Sequence, residues 1–450
     1  MTFTLFGVSR MISKAVAGLL VSFFLVGNAA ASDDADRFWP QWRGPTANGV
    51  SPSGDPPIEW SETKNVRWKI ALPGRGSSTP VLWGNRLYVT TAVPFGERQA
   101  SAAQRPRGRD WGPPPNPDAS RRHRFLVLAI DRSSGETIWG TTVKQELPHD
   151  GTHEFGNFAT ASAMTDGEHV WAFFGSRGLY CLDMEGRVLW EKDFGDMRTH
   201  MSFGEGASPV LHEGFLVVPW DHNGESFVIA LNKITGEQVW KAERDETTSW
   251  STPRVVEHNG AAQVVTNATN RVRSYDLATG KLLWESSGMT RNVIPMPVEA
   301  NGIVYVMSGF RGNALQAIRL DGANGDISSS DAILWKMDRD TPYTASPLLY
   351  DGTLYFLKVN SHILSVVDAA SGERHYQERL RDLNDVFSSP VGAADRVYVT
   401  GRQGTTVVLE AGPEFKILAT NSLDDAFDAS MVVVDGEIYL RGKNLYRISE

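Results

Sequence analysis

One short phrase recurs through this chain and limits what it can fold into. Residues 274–288, SYDLATGKLLWESSG, read as a strand, a tight turn on Ala278-Thr279-Gly280, and a second strand carrying Trp284. The same phrase ends on Trp139 (AIDRSSGETIWG), on Trp190 (CLDMEGRVLWEKDFG) and on Trp240 (ALNKITGEQVWKAERD). It returns more loosely at Trp335 (AILWKMDRD) and in VVDAASGERHYQERL, where Tyr376 stands in for the tryptophan. The aromatic-to-aromatic steps are 51, 50, 44, 51 and 41 residues. A chance set of Trp hairpins does not give six copies at near-regular spacing. A period of this size, with one Gly turn and one aromatic per unit, predicts a β-propeller of four-stranded blades.

A second landmark precedes each aromatic: small polar residues, usually a proline, alternating apolar residues, then a Gly turn. Examples are SSTPVLWGNRLYV (77–89), GASPVLHEGFLVV (206–218) and TASPLLYDGTLYF (344–356). Eight such stretches occur, and period-two alternation closed by Asp-Gly or Asn-Gly is a hairpin signature. These pairs are the two inner strands of each blade, and the Gly-turn-Trp pairs are the two outer ones. Proline is tolerated at a strand's first residue, which need not donate to the ladder. The small residues beside it fit an innermost strand crowded around an axis.

The chain ends argue for closure. The last unit stops after a third strand, KNLYRISE (443–450), and the first begins with an outer-type strand, NVRWKIAL (65–72), carrying Trp68. Together they complete an eighth blade and leave no open edge in the ring. The expected fold is therefore all-β, one eight-bladed propeller over residues 65–450. Trp68, Trp139, Trp190, Trp240, Trp284, Trp335 and Tyr376 serve as plates between blades, each polar tip meeting a backbone carbonyl.

Residues 1–31 read as a secretory signal peptide: Arg10 and Lys14, an apolar run, then Ala29-Ala30-Ala31. Export to the periplasm or the outside follows, without a membrane span in the mature chain. Removing two positive charges moves the formal charge from −9 to −11, a balance that disfavours nonspecific nucleic-acid binding. The single cysteine, Cys181, permits no internal disulfide, so packing alone holds the fold. Residues 32–64 form a lead rich in aromatics and turns, expected to wrap the disc edge. Residues 95–123 hold six arginines and five prolines and read as a flexible insertion in the first blade, either a lid or docking arm or a merely tolerated insertion.

The stereotyped turns share one face of the disc, and the longer, individual loops share the other, where binding belongs. That face collects Arg75, His153, Asn157, His200, Trp250, Arg291 and Asn292. It also collects Tyr343, Phe387 and Asp428, as well as Trp220, Asp221, His222, Phe310 and Arg402. HEFGN (153–157) and HMSFGE (200–205) are its richest clusters, and Glu154, Glu205 and Asp385 are its candidate acid–base groups. His-X4-Glu on a loop is not a metal-ligand spacing, and no phosphate loop, nucleophile elbow or HExxH occurs. Solvated or hydrogen-bonded loop residues are the favoured reading of these groups, and no metal is expected.

DLATGKLLW and NKITGEQVW resemble the tryptophan-docking repeat of the quinoprotein-like β-propellers. The WPQWRGP lead, residues 411–423 and the LYRI ending resemble a large group of secreted bacterial members. The resemblance covers the chain from about Phe38 and implies the fold more than the activity. Its dehydrogenase branch implies pyrroloquinoline quinone, held beside a pair of adjacent cysteines and a calcium on Glu, Asn and Asp. This chain lacks the cysteine pair, and no calcium set can be carried over. Its other branch, an outer-membrane assembly lipoprotein, implies a non-catalytic scaffold that docks proteins, although Ala-Ala-Ala here offers no cysteine to acylate. A monomeric protein-interaction scaffold without cofactor is the first expectation. A quinone- and calcium-dependent dehydrogenase, or a glycan-binding propeller, are the alternatives.

Overall fold

A computed structural model describes residues 1–2, 37–99 and 116–450. The expected signal peptide and the centre of the arginine-rich insertion lie outside these residues. Eight antiparallel sheets follow one another. Seven are built from consecutive segments: 81–146, 164–192, 210–244, 254–287, 298–337, 348–379 and 391–422. Numbered in that order as blades 1–7, each places its shortest strand innermost; in blade 3 this is Val210–His212, and the outermost is Gln238–Arg244. Blade 8 has the order Val66–Ala71, Asn444–Ile448, Glu437–Arg441, Val432–Val434, with Trp68 opposite Arg447 and Ala71 opposite Asn444. The chain termini thus close the ring in one sheet. No helix among the described residues is long and apolar enough to cross a membrane.

The repeated phrase has a mechanical meaning. In blades 1 to 7 the ladder between the two outer strands slips one residue before the aromatic position, as between Ala230 and Leu231 opposite Trp240. The bulged residue turns outward, which accounts for exposed aliphatics such as Ile138, Leu189, Val239 and Leu334. The following tryptophan is aimed at the next blade, where it lies on the glycine of the outer turn. Gly280 has φ +72°, and a β-carbon there would stand 2.6 Å from the Trp240 indole. Gly236 faces Trp190 in the same way. The turn therefore needs glycine for both its backbone and its clearance.

The indole N–H of Trp68, Trp139, Trp240 and Trp335 donates to a carbonyl of the next blade at 2.6–3.2 Å. Trp190 finds no such acceptor, and Trp284 donates within its own blade to Gln263 Oε1 (3.0 Å). Blade 4 differs because residues 325–326 of blade 5 add a short parallel strand at Trp284. Tyr376 packs against Phe415, with ring centroids 5.5 Å apart.

The lead does not wrap the disc edge. It crosses the axis on the short-turn face and bonds to all eight blades. Trp39 pairs with Leu82, Pro40 accepts from Thr165, and Gln41 accepts from Leu211. Thr46 accepts from Arg254, Asn48 bonds Glu299, Arg43 donates to Pro347 and Pro390, and Asp55 donates to Asp435. Of the eight, only blade 6 is reached through Arg43 alone. Large apolar and cationic side chains drive this placement, because Trp39 and Arg43 are both 1% exposed. From the axis the lead runs outward between blades 7 and 8, where Trp60 stacks near Tyr398, and becomes the outer strand of blade 8.

The middle strands of blade 1 are ten residues each, and pairing continues to Phe95 opposite Arg122. Both ends of the arginine-rich stretch therefore belong to the blade. Asn116, within it, donates to Gly156 O (3.2 Å) on the loop-rich face.

Candidate functional site

The heads of the eight innermost strands build the centre of the molecule. The residue just before the Pro position of each head is Thr79, Ser162, Ser208, Thr252, Met296, Ser346, Ser389 and Ser430. The backbone N–H of seven of the eight donates to the hydroxyl of the next blade at 2.9–3.2 Å: Thr79 to Ser162, Ser162 to Ser208, Ser208 to Thr252. The series continues Met296 to Ser346, Ser346 to Ser389, Ser389 to Ser430, and Ser430 back to Thr79. Only Met296, with no hydroxyl, interrupts the circle. The small-polar residues are therefore clasps between blades as well as a steric fit. Sequence reasoning missed them because each partner lies one whole repeat away.

Above this ring the channel opens as a cup of about 430 Å³ on the loop-rich face. The lead closes its other end, with Trp42 among the lining residues. His153, Asn157, Trp250, Tyr343, Phe387, Asp428 and part of Glu205 converge on it from the loops. Arg75, Glu154, His200, Arg291 and Asp385 are exposed and do not line it, and Asn292 is buried behind Tyr343. Trp42, the hydroxyl ring, Thr160, Ile294, Thr344 and Asn360 are lining groups that the sequence did not single out.

The residues that converge are mostly engaged. The Arg402 guanidinium lies 4.1 Å from the Phe155 ring centroid and 4.4 Å from that of Phe387. It also donates to both oxygens of Asp428, at 2.5 and 3.3 Å. Asp385 contributes only its carbonyl, which accepts from Arg402 N. Burial above all, with the charge of Arg402 adding to it, depresses the His153 imidazole below its usual value. Its ring packs edge-on against Phe203 at 5.2 Å. Trp250 donates to Gly204 O (2.7 Å), and Tyr343 stacks on Phe310.

Glu205 turns its carboxylate away from the axis, toward Ser176 at the blade 2 loop. Ser176 donates to it twice, from N–H (2.6 Å) and from Oγ (2.5 Å). Burial nevertheless raises its pKa, since removing a carboxylate from water disfavours its charged form. Nearby, Arg177 pairs with Glu146 and Asp196 and contacts His149 Nδ1 at 3.0 Å. Asp221 is held by Arg244 at 2.8 Å, His222 accepts from Arg198 N, and Trp220 is buried. Cys181 is fully buried and its thiol is pushed up to about 12, an inert group. Among the described residues no three His, Cys, Asp or Glu side chains are grouped to hold a metal ion.

The fold and the repeats have counterparts. BamB from Moraxella catarrhalis superposes with a TM-score of 0.55 at 12% identity, over 80% of this chain and all of that one. A europium-containing methanol dehydrogenase gives 0.61 at 11% identity, over 90% of this chain and 89% of the other. The computationally designed Ika8 protein gives 0.53 at 12%, over 84% and 98%. At such identities these likenesses speak for the fold alone. No curated protein matches the sequence significantly. The family model described as outer membrane protein assembly factor BamB matches residues 123–287 and 223–450. Those matches together span 123–450, well over half of the chain, and the protein belongs to that family of PQQ-type repeat propellers.

Proposed function

We propose that this chain is an exported, non-catalytic β-propeller scaffold that docks a protein partner on its loop-rich face. The observation that carries the reading is Phe155, 43% exposed at the cup's mouth and stacked on an Arg402 guanidinium that Phe387 and Asp428 fix in place. Met201, on the neighbouring loop, is 46% exposed. Interfaces draw most of their energy from a few aromatic and arginine anchors, and those held rigid before binding lose little entropy on docking. Membership of an assembly-factor family agrees with this reading and with export.

The likeness to a methanol dehydrogenase raises a quinone and a cation as the second reading. The donor set does not suit them. A divalent ion needs several oxygen ligands converging, and the carboxylates available here are spent elsewhere. Asp428 neutralises Arg402, Glu205 faces Ser176, and Glu154 and Asp385 stand outside the cup.

The test combines Phe155→Asp with Met201→Asp. Co-purification of the partner should fall at least tenfold while the melting temperature moves little, because both side chains are exposed. Wild-type protein given quinone and calcium should show no alcohol- or sugar-dependent dye reduction. Dye reduction that Glu205→Gln abolishes would make the protein an oxidoreductase and end the scaffold reading.

A further inference from the structure

The base of the cup has a chemistry that docking at its mouth does not use. Six ring hydroxyls line it: Thr79, Ser162, Ser208, Thr252, Ser389 and Ser430, each at most 6% exposed. Each oxygen accepts one backbone N–H, yet none donates a hydrogen bond among the described residues. A buried hydroxyl proton without an acceptor is costly, and here six of them surround one axis. Such an array is a set of converging donors.

Two buried cations stand behind the ring, bonded to carbonyls next to ring residues, and neither lines the cup. Arg43 is 1% exposed and donates only to carbonyls: Pro390 (2.8 Å), Pro347 (2.5 Å) and Asn48 (2.6 Å). Pro390 and Pro347 directly follow ring residues Ser389 and Ser346, one strand step or about 3.3 Å along the chain. Arg441 is 2% exposed and donates to the carbonyls of Thr90 (2.7 Å) and Ser78 (2.8 Å), the residue before Thr79, and to the Ser78 hydroxyl. Among the described residues neither guanidinium has a carboxylate partner, and the Nε of each has no acceptor. Charges buried without a counter-charge are expensive. The acidic groups higher in the cup, Asp428 and Glu205, are already bonded to Arg402 and Ser176.

We propose that the base of the cup is an oxyanion site, which seats a carboxylate or phosphate group on the hydroxyl ring, with these two guanidinium groups buried in the wall behind it. An oxyanion brings several lone pairs to donors that have no acceptor, and its charge offsets the two buried cations. The aromatic upper wall, with Trp250, Tyr343 and Phe387, takes an apolar or planar body attached to that group. The cup's volume is that of a small-ligand pocket.

The test uses the purified full chain at fixed ionic strength. Calorimetric titration with inorganic phosphate and with benzoate should give saturable one-site binding, and glucose should bind at least tenfold more weakly. Arsenate soaked into crystals should place its anomalous peak within hydrogen-bond reach of the ring. Ser208→Ala and Ser389→Ala should weaken binding at least tenfold, whereas Ser389→Thr, which keeps the hydroxyl, should retain it. If the alanine variants do not fold, the wild-type titration and the arsenate peak decide alone. A peptide with a free C-terminus that binds tenfold better than its amide and better than benzoate would assign the anion to a partner chain; the reverse order would assign it to a free acid. Equal binding of glucose, no saturation, or ordered water alone at the ring would overturn the proposal. Loss of partner docking would leave it intact, so the two readings fail separately.

Discussion

Ser389 shows how much of this molecule depends on single hydroxyls. Its Oγ accepts the N–H of Ser346 in the preceding blade, and its own N–H is satisfied by Ser430 in the following one. Ser389→Ala leaves a buried N–H without an acceptor and should cost about 1–3 kcal/mol. Ser389→Thr should cost far less, since threonine already fills the equivalent place at Thr79 and Thr252. Urea-unfolding midpoints of the two variants separate these outcomes. The positions were legible as small polar residues before proline, but a bond whose partner is 41 residues away leaves no local pattern. Phe155 and Phe387 had a similar fate. Their loops and Arg402 were all placed on this face, but Arg402 stacks between them from a different loop, and that contact leaves no local pattern.

The seam between blades 8 and 1 also rests on charge. Arg132, in the outer turn of blade 1, bonds Asp435 and Glu437 of blade 8 at 2.8 Å each. Burial opposes ionisation of Glu437, but hydrogen bonds from Tyr439, Arg132 and Arg447 outweigh it and hold the carboxyl below its ordinary 4.5. A carboxyl with a lowered folded pKa adds stability that is complete above its unfolded value and is lost as pH falls through the folded one. Wild-type stability should therefore drop as pH falls below about 4.5 by more than that of Glu437→Gln. Parallel melting curves between neutral pH and pH 3 would show the two converging; curves that stay parallel would remove Glu437 from the seam.

At the scale of elements, the blade was readable because its parts are local. The turn glycine, the bulge and the tryptophan fall within nine residues, as in Gly280 and Trp284. What could not be read was the direction of contact, since Trp240 rests on Gly280 of the next repeat and not on its own turn. Gly280→Ala forces a left-handed residue, about 1–2 kcal/mol, and drives a β-carbon into the indole. It should destabilise the protein by more than that, whereas Gly352→Ala, with the same φ of +72° and open space, should cost the backbone strain alone. Closure of the ring makes a coupled pair. Trp68→Ala should cost about 3 kcal/mol, at the low end for a half-buried indole, and deletion of 444–450 removes the strand it sits beside. Their combined loss in thermal melts should be less than additive; additive losses would separate the two segments.

At the scale of the whole molecule, the lead decides that the channel is a cup and not a pore. Its course could not be read, because its partners are eight blades spread over more than 350 residues, from Leu82 to Asp435. The loop-rich face, by contrast, was legible from the length and individuality of its connections, and His153, Asn157, Trp250, Tyr343, Phe387 and Asp428 do converge there. The chemistry that was not legible is what these side chains already bond, which leaves the carboxylates occupied and Phe155 exposed. The central claim is that this face docks a protein. A photo-crosslinking side chain placed at Phe155, in cells that express the full chain, should trap one discrete protein, and the same group at Thr279 on the opposite face should trap none. Equal adducts from both positions, or none from Phe155, would contradict the account.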